Sequence, residues 1–469
     1  MIRMVKDTRV ADGTRVFDRS QRVSSKATFG FAAVVVAIFV VVVLLLMETS
    51  TYDTWGGVLV APILILVSLP ILARQAAREG DRALFWLLVA ALLFKLAGAV
   101  TFHFVAYDLY QGVADAVGYH QGGVRLARQF HAGNFDGLDP LAGVNFIQVI
   151  AGFFYAIIGP TKFGGYLFFS WLGFWGLYLF YRAFTIAVPE GRARTYARFV
   201  FFIPSLAFWP SSVGKEAWMM FALGIAAFGA ARALSGRTWR GLVLAGLGMW
   251  MAAFVRPHIT ALVGVALAVG YLVRPSRQEL RQLAPIAKVL SMTVVAIVAV
   301  VVVTRAERFL RDAGVETERG VTGVHNSILA RSSEGGGGSY FAPSILQSPS
   351  QAPKAILTVL FRPLPLEAHN GPALVSSLEN AFLLVFALIR IPWALAALRS
   401  IRRQPYVALA ITYSAMFIVA FSSFANFGNL VRQRVQVLPF VLLLLCIPPR
   451  RRDQAPSVAG DAPGGRAPS

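Results

Sequence analysis

The sequence predicts an all-α polytopic membrane protein of about twelve transmembrane helices, and three observations predict it. Of 469 residues, 57% are hydrophobic and only 14% are charged. Many apolar runs approach the ~20 residues that a helix needs to cross a hydrocarbon core. Between those runs lie two segments too long to be connectors, 107–163 and 305–375, each rich in polar side chains. A soluble protein is excluded by the first two observations. Lys and Arg number 44 against 23 Asp and Glu, a formal charge of +21. In a membrane chain that surplus belongs to loops retained on the cytoplasmic side, so nucleic acid is not an expected partner. The single cysteine, Cys446, excludes an intramolecular disulfide and a cysteine metal cluster.

Taken in order, residues 1–27 form a basic tail carrying Lys6, Arg9, Arg15, Arg19, Arg22 and Lys26. The apolar stretch that follows is too long for a signal peptide and has no small-residue cleavage site, so it reads as a retained first span. Breaking the apolar windows at charges, Gly and Pro places spans at 28–47, 56–73, 83–106, 164–187, 198–211, 216–234, 241–255, 259–273, 288–304, 376–396, 406–424 and 435–449. The run 144–160 is expected as a helix lying in or dipping into the outer leaflet, because a full crossing would put the basic stretch 189–198 outside. With both termini cytoplasmic, most Lys and Arg fall on inner segments, and 107–163 and 305–375 become outer loops of a multi-span unit 28–449. The EGGGG tract at 334–338 reads equally as a lid or as floppy chain. The Pro- and Gly-rich tail 450–469, after three arginines, is expected to be disordered and cytoplasmic. The Ala-, Val- and Arg-rich composition points to a bacterial plasma membrane.

Chemistry is expected at the outer ends of the spans. In YDLYQGVADAVGYH (107–120), Asp115 and Tyr119 are one helical turn apart and share a face, with His120 beside it and Asp108 upstream. Such a carboxylate can take a proton from a hydroxyl or hold a divalent cation, and it can equally be a cap or dipole partner of a surface helix. FWPSSVGKEAW (208–218) offers Lys215 and Glu216, which either snorkel to headgroups or grip a lipid phosphate. FVRPHIT (254–260) offers Arg256 and His258 in a proline-fixed hairpin, where an arginine fork suits phosphate oxygens. NFGNLVRQRVQVLPF (426–440) brings Arg432 and Arg434 to the outer side, against the bias that sets topology, and FRPLPLEAHN (361–370) adds Arg362. Of the other charges, Lys95 alone is deep enough to be intramembrane. No phosphate-binding Gly-rich loop, paired-His zinc motif or nucleophile elbow is present, which excludes an ATP-driven pump, a zinc protease and a serine hydrolase.

On the many spans, the acidic DAVGYH (115–120), the run FIQVIAGFFYAIIGPTKFGGYLF (146–168) and FIPSLAFWPSSVGKEAW (202–218), the chain resembles the GT-C superfamily of polytopic glycosyltransferases over about 83–445. The resemblance implies transfer of a hexosyl or pentosyl unit from a polyprenyl-phosphate-linked donor to a glycan, lipid or protein acceptor, with inversion. It implies that Asp115 is the base, with His120 beside it, or the ligand of a divalent cation such as Mg or Mn. It also implies that Lys215, Arg256 and Arg432 hold the donor phosphate, with Asp108, Tyr119, Glu216, His258, Arg362 and Arg434 completing the substrate site. The family's usual acidic pair is here the lone Asp115 with Asp108 seven residues earlier. Two alternatives stand beside it. An O-antigen-type polysaccharide polymerase would lean on the arginines of 305–375 and 432–434, and a lipid-linked glycan flippase would need charges deep in broken spans.

Overall fold

The computed structural model describes residues 20–112, 114–236, 238–274 and 348–449, with a few isolated positions between 304 and 343. The expected span 288–304, the EGGGG tract and most of both tails lie outside the described residues. Among those described, the chain is helical with no strand, and its one β-bridge joins Tyr340 to Asn426. Among the described residues five helices are long and apolar enough to cross a membrane, or six if one bent pair forms a single span.

The chain opens with α1 (Ser20–Thr49), α2 (Tyr52–Glu79) and α3 (Arg82–Phe104), the last N-capped by Asp81, whose side chain accepts from the Ala83 and Leu84 amides. Then come α4 (Asp115–His131), α5 (Gly143–Ile158) and α6 (Lys162–Ala187). At 16 residues, α5 spans about 24 Å, short of the hydrocarbon thickness. It packs on α4, where Phe153 stacks on Phe130, and leaves Val144 and Ile157 exposed.

The expected straight span 198–211 is broken. It comprises α7 (Ala193–Phe202), the short α8 (Pro204–Phe208) and a 3-10 turn, Trp209–Ser211. Ile203 leaves helical geometry at φ −65°, ψ 124°, because the ring of Pro204 disfavours the α conformation in the residue before it. Pro210 ends the second piece, since it has no N–H to give to the Leu206 carbonyl four residues back. Lys95 of α3 supplies the missing donor: its Nζ lies 2.9 Å from Leu206 O and 3.0 Å from Ala207 O. Lys95 is 1% exposed, so it caps carbonyls inside the protein and does not snorkel. Gly98, one turn on, permits the approach; a Cβ there would stand 2.5 Å from Ala207 O.

Beyond the break, α9 (Lys215–Leu234) is the buried centre of the bundle, clasped by α6 and by α10 (Thr238–Ala253). Small residues let these backbones touch: a Cβ on Gly224 would lie 2.4 Å from Gly176 O. After α11 (Pro257–Val273) the description resumes at α12 (Ala352–Phe361), α13 (Gly371–Ile389) and α14 (Ile391–Ser400). The expected span 376–396 therefore stops early, at Arg390 just ahead of Pro392. α14 meets α15 (Pro405–Phe421) at 118°, and the chain closes with α16 (Phe427–Arg434) and α17 (Leu438–Leu444). Only seven residues of the expected span 435–449 belong to α17.

Contacts sort the helix ends onto two sides. One side joins Thr161 and Lys162 to Asp53, Gly143 to Phe254, and Arg432 to Asp115 and Glu216. The other joins Arg194 to Asp81, Arg192 to Cys446 and Arg274 to Thr238.

Candidate functional site

The first residues of α4 and α9, the turn before α11 and the last turn of α16 bring four charges together. Asp115 opens α4 but does not cap it; Ala114 occupies the N-cap and offers no side-chain bond. Glu216 sits in the first turn of α9, 1% exposed, and Arg256 precedes the helix-starting Pro257 of α11. Arg432 lies on α16, whose start is set by Asn426 accepting from the Asn429 amide.

Arg432 is the hinge of the cluster. Its Nη1 donates to Asp115 Oδ2 at 2.7 Å, its Nη2 to Glu216 Oε2 at 2.9 Å, and its Nε lies 2.7 Å from Glu216 Oε1. Glu216 also accepts from Arg256 Nη2 at 2.7 Å. The buried carboxylate is thus shared by two guanidinium groups, a geometry in which charge-assisted bonds repay part of the desolvation. Burial opposes the charge on Arg432, but Glu216 and Asp115 outweigh it and hold the guanidinium above its ordinary range. Burial, reinforced by Glu216 and Asp115, pushes the Tyr119 hydroxyl up to about 12, so Tyr119 is a protonated donor at neutral pH.

Asp115, Tyr119 and Arg432 line a cavity of about 900 Å³. From them it runs along α3 and the π-helical turn Val105–Leu109 that continues it, where Phe94, Ala97, Gly98, Thr101, Phe102, Val105 and Leu109 form one stripe. That stripe covers about 22 Å of helix. The opposite walls come from the broken segment 204–213 and from Pro372, Val375, Ser376 and Glu379, one face of α13. The cavity therefore has an ionic end and a long apolar body.

The expected site residues divide accordingly. Asp115, Tyr119, Arg432 and Arg434 line the cavity. Glu216 does not; it lies beneath Arg432 and orients it, and Arg256, also outside the cavity lining, gives its Nη2 to Glu216. His120, expected beside the base, is packed away: Nδ1 is 2.9 Å from Tyr155 Oη, and burial pushes the imidazole down to about 4. Arg434 lies two residues, over half a helical turn, from Arg432 and so points elsewhere. It donates to Leu360 O, Arg362 O and Asn380 Oδ1. Arg362 pairs with Glu367 and stacks on Phe341 and Phe427, away from the cavity. Lys215 and His258 are half-buried and Asp108 is exposed, none lining the cavity.

The residues do not fit a divalent cation. Asp115 is bonded to an arginine, its nearest acidic neighbour is held by two, and among the described residues no three acidic, His or Cys side chains gather to hold a metal. The sequence reading missed Glu379 and Ser205, whose amide donates to Glu379 Oε2 at 2.7 Å. The available signal was that Glu379 is the only ionisable residue between Gly371 and Ile389. Comparison of the chain with protein-family models, with curated proteins and with solved structures gives no match.

Proposed function

We infer that the protein is a membrane glycosyltransferase that moves a sugar from a polyprenyl-phosphate-linked donor to an acceptor hydroxyl at the outer face of a bacterial plasma membrane. The observation that carries this reading is the cavity itself: a long apolar trough ending in a carboxylate and an arginine suits an isoprenoid chain with a phosphate and a sugar at its head. On this reading the chain has about twelve spans in a GT-C-like arrangement, with both termini in the cytoplasm.

Arg432, fixed from behind by Glu216, takes the donor phosphate, and Lys215 adds charge nearby. The acceptor hydroxyl oxygen attacks the anomeric carbon, the bond from that carbon to the phosphate oxygen breaks, and the polyprenyl phosphate leaves with the electron pair. Asp115 accepts the hydroxyl proton, and attack from the face opposite the phosphate inverts the anomeric centre. Phosphate binding also draws Arg432 away from Asp115, freeing the carboxylate as the donor arrives. The polymerase alternative is less well supported, because Arg362 and Arg434 are both committed to protein partners.

The test is glycan and lipid-linked sugar profiling of cells lacking the protein, complemented with wild type or Asp115→Asn. Loss of a glycan residue with accumulated lipid-monophosphate sugar, rescued by wild type alone, is the expected result. Rescue by Asp115→Asn removes the base from the mechanism, and accumulation of unpolymerised lipid-diphosphate repeats replaces the transferase with a polymerase.

A further inference from the structure

A second polar station lies in the apolar body of the cavity, on a helix that has little reason to carry one. α13 is a membrane-span candidate with only 17% of its most apolar window buried, and Leu374, Val375, Leu378, Phe382 and Val385 are exposed on it. Glu379 stands at its midpoint, the one ionisable side chain in nineteen residues, and it lines the cavity. A carboxyl group at that depth is expensive and is retained for a purpose. One oxygen, Oε2, is satisfied by the Ser205 amide at 2.7 Å. The other, Oε1, is buried with no hydrogen-bond partner. Among the described residues no ion pair involves Glu379; the nearby Arg434 spends its Nη donors on Leu360 O, Arg362 O and Asn380, while its Nε and the Ser205 hydroxyl, both in the same cavity wall, are themselves buried without a hydrogen-bond partner.

A buried oxygen without a partner costs its full desolvation unless something supplies a donor. Three unsatisfied polar atoms, Glu379 Oε1, Ser205 Oγ and Arg434 Nε, thus gather in the wall of one apolar trough, and a ligand that carries hydroxyls on an otherwise apolar body satisfies them together. We propose that Glu379 is the sugar-binding carboxyl of this cavity, its Oε1 accepting a hydroxyl of a glycosylated amphiphile while Ser205 N–H holds Oε2 in place. The assignment rests on the transfer reading and deepens it by giving a sugar of the acceptor glycolipid a subsite apart from the donor head at Asp115 and Arg432; it concerns binding and not the chemical step.

The experiment uses the full chain in nanodiscs of phosphatidylcholine and phosphatidylglycerol, with radiolabelled octyl β-glucoside below its micellar concentration as probe and octanol as the tail without a sugar. Glu379→Gln keeps an acceptor for Ser205 N–H and loses the charge. The expected result is octyl glucoside binding weakened about tenfold and octanol unchanged, the size of one charge-assisted hydrogen bond. Equal loss for both probes, or no loss for the glucoside, overturns the assignment. A second measurement needs no variant: dicyclohexylcarbodiimide labelling of wild-type Glu379, mapped by mass spectrometry, is expected to slow with octyl glucoside and not with octanol. Equal labelling under both overturns it as well. Because neither readout involves transfer, unchanged glycans and lipid-linked sugars in cells lacking the protein would sink the enzymatic reading while leaving this one standing.

Discussion

At the scale of single residues, the charged cluster contains two kinds of acid. Glu216 is buried between Arg256 and Arg432, so Glu216→Gln leaves two guanidinium groups short of a counter-charge and is expected to destabilise the protein by about 3 kcal/mol. Asp115 keeps 62% of its side chain in solvent, so Asp115→Asn is expected to abolish transfer while moving the melting temperature little. Thermal unfolding of both variants in one detergent checks the pair, and a larger loss from Asp115→Asn would reverse their roles. His120 makes a pH prediction. Burial lowers its imidazole from 6.5 to about 4, so the folded state favours the neutral ring. The stability this represents is complete above pH 6.5 and is lost as pH falls towards 4, where the unfolded chain binds a proton that the fold refuses. The total is about 3 kcal/mol, and His120→Gln is expected to flatten the profile of unfolding temperature against pH between 7 and 4.

At the scale of elements, the segment from Ala193 to Ser211 shows what patterning conveys and what it omits. Its apolar composition was legible as a span; its break was signalled by Pro204 and Pro210, but the donor that makes the break tolerable comes from Lys95, over a hundred residues earlier. No local window contains that partnership. Lys95→Met is expected to strand the Leu206 carbonyl, Ala207 O keeping the Ser211 hydroxyl, and to cost about 2 kcal/mol or the folded yield altogether, which size-exclusion profiles in detergent would reveal. The same limit applied to the charged motifs. Spacing placed Asp115, Lys215, Glu216, Arg256 and Arg432 at helix ends on one side, and the structure draws four of them together. It could not separate Arg432 from Arg434, or see that His120 faces Tyr155, because those directions depend on which helix packs where.

At the scale of the whole molecule, the apolar faces of α1, α2 and α13 are exposed and those of α6 and α9 are buried, the arrangement of a bundle whose perimeter meets lipid. Hydropathy announced that much, while the number of crossings depended on where prolines and arginines interrupt the runs. Sidedness can be measured directly, because Cys446 is the only cysteine and is buried. In intact cells, Asp136→Cys is expected to react with a membrane-impermeant maleimide and Arg194→Cys to react only after lysis; the opposite pattern inverts the topology. The broken segment has a further architectural meaning. A continuous helix from Ala193 to Ser211 would present a closed cylinder to α3 and α13, whereas the two proline breaks turn its end into a ledge whose residues 204–213 wall the cavity. The shape of the cavity's wall is thus set by two imino acids and a lysine that lie apart from Asp115 and Arg432, so its width and its ionic end are governed by different residues.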